Sequence, residues 1–466
     1  MDNIVKLGME FNIPIKVEKL IKKFRENKAE IYIVGGAVRD LILKKEVKDW
    51  DFTTNLTPEE MQKIFTKNSF YNNKFGTISI VDGDDIFEVT TFRTEKGYSD
   101  VRHPDEIKWG KTLKEDLQRR DFTVNAIALE IQNLSVDKST SPLNKGRSLN
   151  FKIIDLYDGQ KDLENKIIRT VGNPDERFGE DALRMMRAIR IASQIGFLIE
   201  EKTFASIQKN APLIKNIAGE RIRDELFKIL ISISPSQGII LLKNSGLLQE
   251  IIPELIDGYG VAQKGHHIDD VWTHNLKTLD NCETKNPITK LAALLHDVGK
   301  PKSMIGEGEE RTFHNHEIIG SRIAVAIGKR LRLSNKELEQ LFKLVRYHMF
   351  TTEATQTDKA VRRFIRNVTL DYIDEMIALR RADRLGSGAK ESSWRWELFK
   401  ERIVEVQKQP FSIKDLKING QDVMDILKIK ASRKVGEVLE AIFKEVEEKP
   451  ELNEREILLK KIEENK

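Results

Sequence analysis

Cysteine is almost missing from the sequence: Cys282 is the single cysteine among 466 residues. One cysteine cannot form a disulfide within the chain, and it has no second thiolate with which to build a sulfur-ligated metal site. Long apolar runs are also missing, and the opening MDNIVKLGMEFNIP has neither the basic start nor the apolar centre of a signal peptide. We therefore expect a cytoplasmic protein of a reducing compartment, with no membrane partner.

An excess of one charge sign is missing too, because 78 basic and 74 acidic residues leave a formal net charge of +4. A polyanion would have to be bound by local basic clusters and not by a global positive field. Histidine is scarce, yet seven of the eight histidines lie between His266 and His348. Random scatter rarely clusters a rare residue so tightly, so this region needs an explanation.

The length of the chain predicts two to four domains. Up to about residue 155, β-branched runs alternate with helical patterns, which predicts a small mixed α/β domain. The predicted strands are 31–34, 47–54, 77–81, 85–91 and 124–130. After about residue 175 long amphipathic patterns predict helices alone, interrupted near 260 and near 410. We predict an α+β protein in four parts, residues 1–155, 156–260, 261–405 and 406–466.

The stretch IYIVGGAVRDLILKKEVKDWDFTTN, residues 31–55, combines two glycines, an arginine and two nearby aspartates. Residues two apart in a strand face the same side, so Asp49 and Asp51 are predicted to present neighbouring carboxylates suited to Mg²⁺. The glycines let the backbone approach an anion, and a helix from Ala37 would direct its N–H groups there, with Arg39 in its first turn. This combination suits two-metal nucleotidyl transfer, although each element also occurs in proteins without that chemistry.

Three further stretches follow in a fixed order: KEDLQRRDFTVNAIAL (114–129), GNPDERFGEDALRMMRAIR (172–190) and GERIRDELFKIL (219–230). With VGGAVRD and DWD they resemble the motif series of class II CCA-adding tRNA nucleotidyltransferases and the related bacterial poly(A) polymerases. The stretch FSIKDLKINGQDVMDIL (411–427) resembles their C-terminal region. The resemblance implies a polymerase-beta-like nucleotidyltransferase head, followed by all-helical neck, body and tail domains in the four parts given above.

The same resemblance implies roles for individual residues. Asp49 and Asp51 would be the catalytic residues and would bind Mg²⁺. Glu88, on a predicted neighbouring strand, is either a third acidic group of this site or an ordinary solvated residue. The residues expected to contact the nucleotide are Gly36, Arg39, Arg120, Asp121, Asn125, Glu180, Asp181, Arg184, Arg187 and Arg190.

The segment EDALR suggests how a protein could select bases. On a helix, Asp181 and Arg184 would be i, i+3 neighbours, so an acceptor and a donor would share one face. Cytosine and adenine each present an amino donor beside a ring-nitrogen acceptor, whereas uracil and guanine present a carbonyl and an N–H. An acceptor–donor pair would accept the first two bases, and the resemblance gives this role to Glu180, Asp181 and Arg184. The alternative is a surface helix with ordinary charge pairs.

The polar stretch RTEKGYSDVRHPDEIKW, residues 93–109, is predicted to be a loop. In the family, a mobile loop at this place helps to switch from C addition to A addition, and enzymes that add only CC lack it. Its presence argues against a CC-adding specialist. An enzyme that adds only the terminal A is still possible.

The clustered histidines lie in VWTHNLKTL, LAALLHDVGKPKS, FHNHEIIGS and VRYHMF, followed by RRADRLGSG. These stretches resemble the HD-domain phosphohydrolase pattern. The resemblance implies one divalent metal ion, with a second ion permitted by two further histidines; the residues are His274, His296, Asp297 and Asp383, then His316 and His348. Imidazole and carboxylate ligands suit Mn²⁺, Ni²⁺, Fe²⁺ or Mg²⁺. In some relatives this domain hydrolyses phosphomonoesters or cyclic phosphates, and in others it is a scaffold.

The leading hypothesis is Mg²⁺-dependent, template-independent addition of CCA to the tRNA 3′ end from CTP and ATP, with release of pyrophosphate. The alternatives are an A-adding enzyme or poly(A) polymerase, an HD phosphohydrolase with a nucleotide-sensing head, and a noncatalytic tRNA-binding protein. No obligate protein partner is evident. Contacts to RNA phosphates are expected from helical Lys and Arg residues, with AVRRFIRN (360–367) and SRKVGE (432–437) as candidate patches.

Overall fold

The structure is a computed structural model, and the chain divides into two compact units, Met1–Ile256 and Asp257–Lys466. The residues it describes are 4–5, 11–66, 68–73, 76–96, 106–132, 149–263, 269–306, 308–353, 355–390, 393–407 and 413–464. Within these ranges no helix has the length and apolar character needed to cross a membrane. The finer division into four domains stays a prediction.

The first unit is built around a mixed β-sheet. Its strands are β1 Ile4–Val5, β2 Ile31–Val34, β3 Asp51–Thr54, β4 Ser69–Asn73, β5 Thr77–Asp82, β6 Asp85–Thr91, β7 Arg93–Lys96, β8 Glu106–Trp109, β9 Ile127–Ile131, β10 Phe151–Asp155, β11 Ile167–Ile168 and β12 Leu198–Ile199. Within the described residues the main sheet has eight strands in the order β1-β10-β9-β2-β3-β6-β5-β4. Strands β3 and β6 are parallel, and the other neighbours in this sheet are antiparallel. The central strand β2 is covered on both faces, since Ile33 and Val34 point to opposite sides and both are buried.

Several helices pack against this sheet, and further helices continue to the end of the unit. They are α1 Ile15–Glu26, α2 Gly36–Ile42, α3 Pro58–Ile64, α4 Leu113–Gln118, α5 Gly159–Asn165, α6 Pro174–Glu180, α7 Leu183–Ile195, α8 Glu201–Asn210, α9 Gly219–Leu230, α10 Pro235–Asn244, α11 Leu247–Ile251 and α12 Pro253–Ile256. Helix α4 begins at a capping box in which Thr112 and Glu115 satisfy each other's backbone N–H groups. This cap fixes where α4 starts and therefore where the arginines just after it emerge.

Three local predictions need correction. Asp49 does not lie on a strand, because β3 begins at Asp51, which pairs with Val34, the last residue of β2. The predicted strand at 124–130 begins later, since Thr123–Asn125 is a 3₁₀ helix. The predicted loop 93–109 has paired ends, because β7 and β8 form an antiparallel ribbon, while residues 97–105 lie outside the described residues.

The second unit is helical in the part that the structure describes, apart from two isolated β-bridges. Its helices are α13 Val271–Asn281, α14 Pro287–Leu295, α15 Lys300–Ser303, α16 His316–Arg330, α17 Asn335–Tyr347, α18 Asp358–Val368, α19 Ile373–Gly386, α20 Trp394–Val406, α21 Gly420–Leu427, α22 Arg433–Glu448 and α23 Arg455–Glu464. The predicted α+β class, with strands early and helices late, is confirmed.

Close packing between α15 and α16 positions several of the clustered histidines. A Cβ atom on Gly299 would lie 2.2 Å from the carbonyl oxygen of His316 and 2.5 Å from the nitrogen of Gly320. Both contacts are to backbone, so no side chain can move away to make room, and only glycine fits here. This close approach brings the start of α16 beside the segment that follows α14.

Candidate nucleotide site and candidate metal centre

The turn between β2 and α2 passes close to two charged side chains. Gly35 has φ +71°, and a Cβ atom there would lie 3.2 Å from both Asp51 Oδ2 and Arg120 Nη1. Glycine supplies the positive φ and the missing side chain that this approach requires. One turn into α2, Arg39 Nη1 donates to Asn125 Oδ1 at 3.0 Å. The Asp51 carboxylate and the Arg120 guanidinium therefore lie beside the turn, and the Asn125 amide binds the helix that follows it.

Three carboxylates meet beside this turn. In the parallel pairing of β3 and β6, Asp51 is the register partner of Glu88. Asp49, Asp51 and Glu88 line one cavity of about 1090 Å³, which Gly36 and Arg39 also line. Asp49 thus shares a cavity with Asp51 although it lies outside the strand.

The electrostatics of these acids favour a cation. Burial raises the pKa of Asp51; Arg120 opposes the rise, while Glu88 and Asp49 add to it by repulsion. A divalent cation would relieve this repulsion, and carboxylate oxygens are ligands that Mg²⁺ accepts. The donors present therefore fit a hard divalent ion, with the remaining positions left to phosphate and water.

A second cavity of about 360 Å³ shares Asp51 and Arg187 with the first. Its lining is rich in guanidinium groups, from Arg93, Arg119, Arg120, Arg184, Arg187 and Arg221. Guanidinium groups form charge-assisted, often bidentate hydrogen bonds to phosphate. The two cavities together place the three carboxylates beside these arginine side chains.

Asp121 holds one of these arginines, Arg187, in place. Arg187 Nε donates to Asp121 Oδ2 at 2.8 Å, and Asn125 Nδ2 donates to Asp121 Oδ1 at 3.1 Å. Burial alone would raise the pKa of Asp121, but Arg187 and Asn125 hold it well below the usual range. Asp121 is thus an ionised anchor for Arg187 and Asn125.

Asp181 interrupts the helix that the sequence predicts. It has φ −145° and ψ 104°, between α6 and α7, and its Oδ1 accepts a hydrogen bond from the N–H of Leu183 at 3.0 Å. Arg221 Nη2, from α9, donates to Asp181 Oδ2 at 2.8 Å. The predicted i, i+3 helical pairing of Asp181 with Arg184 is therefore wrong, because Asp181 is the non-helical residue that ends α6 and its side chain binds the first N–H of α7.

Arg184 has a different partner. Its Nη1 donates to Glu180 and, at 3.3 Å, to the carbonyl oxygen of Arg177. Arg177 Nη1 donates to the same glutamate at 2.9 Å. Asp181 and Arg184 nonetheless line the same smaller cavity.

The two cavities bring together most of the residues that the sequence predicts. The larger one is lined by Gly36, Arg39, Asp49, Asp51, Asn125, Arg187 and Arg190, and the smaller one by Asp51, Arg120, Asp121, Asp181, Arg184 and Arg187. Glu180 lines neither cavity and contacts Arg184 instead. Sequence reasoning assigned no role to Arg221, although it lies in GERIRDELFKIL, or to the buried Asp116 just before the RRD triplet.

In the second unit, the predicted HD residues form one buried cluster. His274 Nε2 lies 3.1 Å from His296 Nε2 and 3.1 Å from Asp383 Oδ1. Asp297 lies between the histidines, with Oδ2 3.3 Å from His296 Nε2 and Oδ1 3.3 Å from His316 Nε2. Two overlapping groups could each hold a metal ion: His274, His296 and Asp297, and Asp297, His316 and His348.

Backbone carbonyls orient three of these imidazoles. The Nδ1 atoms of His296, His316 and His348 lie 2.9, 2.8 and 2.8 Å from backbone carbonyl oxygens three residues earlier. A carbonyl can only accept, so each Nδ1 carries the proton and each neutral ring keeps its Nε2 lone pair. The buried Nε2 atoms of His316 and His348 have no hydrogen-bond partner. Metal-binding histidines typically donate one ring N–H to a carbonyl or carboxylate oxygen in this way while the other nitrogen binds the metal.

The charge states of His348 and Asp297 suit metal binding, whereas at His296 burial would lower the pKa but Asp297 and Asp383 raise it. Burial lowers the pKa of His348 to about 3, and the neighbouring His296 adds to this effect. Burial opposes ionisation of Asp297, but His296 and Lys300 hold its pKa well below the usual value. A neutral imidazole and an ionised carboxylate are the forms that ligate a metal. A cavity of about 430 Å³ reaches this cluster, and Lys300 and Arg380 also line it.

The two candidate RNA patches differ in exposure. Arg362 is buried, and its Nη2 donates to the carbonyl oxygen of Glu447 at 2.9 Å, while Arg366 forms an ion pair with the Glu447 carboxylate at 2.6 Å. These two arginines thus hold α22 against α18. Arg433, in the second patch, has 94% of its side chain exposed.

Family models match successive parts of the chain. They are the "Poly A polymerase head domain" over residues 31–169, the "Probable RNA and SrmB- binding site of polymerase A" over 196–258, the "HD domain" over 259–387 and "tRNA nucleotidyltransferase domain 2" over 324–462. The predicted polymerase-type head and HD domain are confirmed.

Curated relatives agree with these matches. The CCA-adding enzyme of Ligilactobacillus salivarius is 34% identical over 454 residues, 96% of each chain. The CCA-adding enzyme of Enterococcus faecalis is 46% identical over 220 residues, 47% of this chain and 50% of that one. The crystal structure of the Bacillus stearothermophilus CCA-adding enzyme in complex with CTP matches with a TM-score of 0.68 and 27% identity, covering 96% of both chains. The Thermotoga maritima CCA-adding enzyme complexed with tRNA shares the fold, with a TM-score of 0.54, 20% identity and 97% of both chains covered.

Proposed function

Because the chain belongs to the CCA-adding enzyme family of nucleotidyltransferases, we propose that it adds the 3′-terminal CCA to tRNA from CTP and ATP, without a nucleic acid template and with release of pyrophosphate. One observation carries this proposal: Asp49 and Asp51 line the same cavity as Gly36 and Arg39. Acidic ligands and phosphate-binding groups therefore meet where an incoming nucleotide would react.

In nucleotidyl transfer, one group of residues binds the triphosphate and another binds the metal ion. Arg39, Arg120 and Arg187 bind the triphosphate, and the Gly35 turn lets its phosphates approach the backbone. Asp49 and Asp51 hold Mg²⁺. When bound, Mg²⁺ supplies a lowered pKa for the attacking 3′-hydroxyl and a counter-charge for the departing pyrophosphate.

Base selection follows from the groups on the smaller cavity. Asp181 offers an acceptor and Arg184 a donor, which together suit the amino group and ring nitrogen of cytosine or adenine. Both side chains are held from outside the pair, Asp181 by Arg221 and Arg184 by Glu180. These contacts keep the Asp181 carboxylate and the Arg184 guanidinium at fixed positions, whether the bound base is cytosine or adenine. We assign this work to residues 156–260 and the transfer step to residues 1–155.

Three tRNA transcripts test the proposal: one that ends before CCA, one after C and one after CC. Each is incubated with the full chain and Mg²⁺, with CTP, ATP or both. Growth of all three to the complete CCA end is the expected result. Growth of the CC-ended transcript alone would replace the proposal with A addition, and long adenylate tails on unrelated RNA would replace it with polyadenylation.

A second activity, hydrolysis of phosphate esters by the HD cluster, is favoured by its set of six buried imidazole and carboxylate ligands. Lys300 and Arg380 line the adjoining cavity and would bind the phosphate of the substrate. The metal would be Mn²⁺, Ni²⁺, Fe²⁺ or Mg²⁺. Incubation of the metal-loaded chain with RNA that carries a 2′,3′-cyclic phosphate is the direct assay. An RNA end that stays cyclic with every one of these metals would contradict this activity.

A further inference from the structure

Asp116 is a buried carboxylate that no part of the proposed mechanism uses. It lies in α4, its side chain is 0% exposed, and it is bound by two arginines that line the smaller cavity. Arg119 donates to Asp116 Oδ1 from Nε at 3.0 Å and from Nη2 at 2.6 Å. Arg120 Nη2 donates to Asp116 Oδ2 at 3.1 Å. Each carboxylate oxygen therefore holds one guanidinium group.

Arg120 is held mainly by this contact. Its other hydrogen bond, from Nη1 to the carbonyl oxygen of Asn125, is long at 3.5 Å, and its buried Nε has no hydrogen-bond partner. The same Nη1 lies against the Gly35 turn. Asp116 is thus the principal anchor that directs Arg120 toward this turn.

Arg120 is also the charged side chain that could block cation binding by Asp51. It is the strongest attractive influence on the Asp51 carboxylate, yet among the described residues Asp51 forms no ion pair within 4.0 Å. An arginine that closed onto Asp51 would occupy the oxygens that a cation needs, since bidentate arginine–carboxylate pairs use both oxygens. A device that keeps the two apart would preserve the metal site.

We propose that Asp116 is a positioning residue that holds Arg120 at the Gly35 turn and off Asp51, so that the Asp51 carboxylate stays available to a divalent cation. This inference rests on the proposed function, because it assigns Mg²⁺ to Asp51. Asp116 itself lines neither of the two cavities. Its effect therefore passes through Arg120.

Asp116→Asn tests the inference with little change in shape. The asparagine cannot accept from both guanidinium groups as a carboxylate does, so Arg120 is released toward Asp51. The Mg²⁺ concentration that gives half-maximal CTP incorporation should rise by roughly tenfold, the scale at which outer-shell partners affect metal affinity. Incorporation should recover toward the wild-type rate when Mg²⁺ is saturating. A change that merely loosened the fold would lower the rate at every Mg²⁺ concentration.

Binding of Mn²⁺, followed by the electron paramagnetic resonance signal of the free ion, gives a readout that does not depend on turnover. D51N defines the binding that belongs to this site. D116N should weaken that binding by the same factor as the Mg²⁺ requirement, and D116N/D51N should match D51N. R119A, which removes the other partner of Asp116 and leaves Arg120 anchored, should not weaken Mn²⁺ binding at this site.

The double variant D116N/R120Q shows whether the effect passes through Arg120, because its Mg²⁺ requirement should equal that of R120Q. If D116N does not fold, D116E displaces the same charge by one methylene, and the requirement should rise by a smaller factor. Unchanged Mg²⁺ and Mn²⁺ affinities in folded D116N, or a rate loss that saturating Mg²⁺ does not restore, would overturn the inference. Wild-type protein that incorporates nothing would instead overturn the proposed function.

Discussion

The carboxylate site of the first unit and the histidine cluster of the second differ in how complete they are. Asp49 is exposed and Asp51 is half-buried, whereas His274, His296, Asp297, His316, His348 and Asp383 are all buried. The second site presents enough protein ligands to enclose a metal ion, with imidazoles already oriented by backbone carbonyls. The first site presents a few carboxylates beside several arginines, and it leaves coordination positions of a metal ion for phosphate oxygens.

This difference indicates two ways of using a divalent ion. A site that depends on substrate oxygens binds its ion most tightly together with the nucleotide and releases it with the product. A site built from many protein ligands keeps its ion between substrates. The comparison can be tested by changing one site while measuring both.

The largest expected effect is at Asp51. Asp51→Asn removes the charge of the strand-borne ligand, so CTP incorporation into a transcript that ends before CCA should fall by roughly a hundredfold to a thousandfold. The measurement is single-turnover incorporation at saturating CTP and Mg²⁺. Asp85→Asn, at a half-buried aspartate that lines the same cavity and pairs with Lys16, is the matched control and should keep activity. Retained incorporation in D51N would remove the basis of the metal assignment.

The next effect is at the histidine cluster. His296→Ala and Asp297→Ala each remove a ligand, so metal that copurifies with the chain, measured by plasma mass spectrometry, and any cyclic-phosphate hydrolysis should be lost. Incorporation of CTP should be intact, because the two sites lie in different units. His314→Ala, an exposed histidine outside the cluster, is the control. Loss of incorporation in folded H296A would show that the two sites are not separate.

A smaller effect is expected on base selection. Asp181→Ala and Arg184→Ala each remove one side of the acceptor–donor pair, so discrimination of CTP and ATP against UTP and GTP should fall by roughly tenfold to a hundredfold. The measurement is the ratio of kcat/KM values for the four nucleotides. Asp224→Asn, on the same helix as Arg221 but paired with Arg223, is the control. Unchanged ratios in both variants would place selection elsewhere.

The smallest effect concerns pH. Burial, Glu88 and Asp49 raise the pKa of Asp51, so protons compete with the cation at a higher pH than for an ordinary carboxyl. The Mg²⁺ requirement should therefore rise as pH falls, by less than about tenfold per pH unit. Glu88→Gln removes one source of repulsion, lowers the pKa of Asp51 and should reduce this dependence. A Mg²⁺ requirement that does not change with pH would contradict the electrostatic account.

The sequence was sufficient to predict the strands and helices that carry the site, and less so its local geometry. The run IYIV and the following glycines predict β2 and its turn, since β-branched residues and glycine have strong local preferences. Asp49 was misplaced because strand length depends on the partner: β2 ends at Val34, so no partner remains for residues before Asp51. Pairing register is a long-range property that a local pattern does not contain.

The same limit applies to the base-selecting residues. The apolar spacing around Asp181 fits one continuous helix, but one oxygen of its side chain binds the first N–H of α7 and the other binds Arg221, 40 residues away. The role of Asp116 was not predicted, because in a sequence an aspartate near two arginines is typical of an exposed helical ion pair. Its burial is known only from the structure. The histidine cluster was predictable because each ligand lies in a short motif with a strong helical pattern.

The most direct measurement is a crystal structure of the chain with CTP and Mn²⁺, with anomalous diffraction collected at the manganese edge. The account predicts an anomalous peak in contact with the carboxylates of Asp49 and Asp51 and with phosphate oxygens of CTP. A structure in which CTP occupies the cavity, while manganese is found only at the histidine cluster, would contradict it.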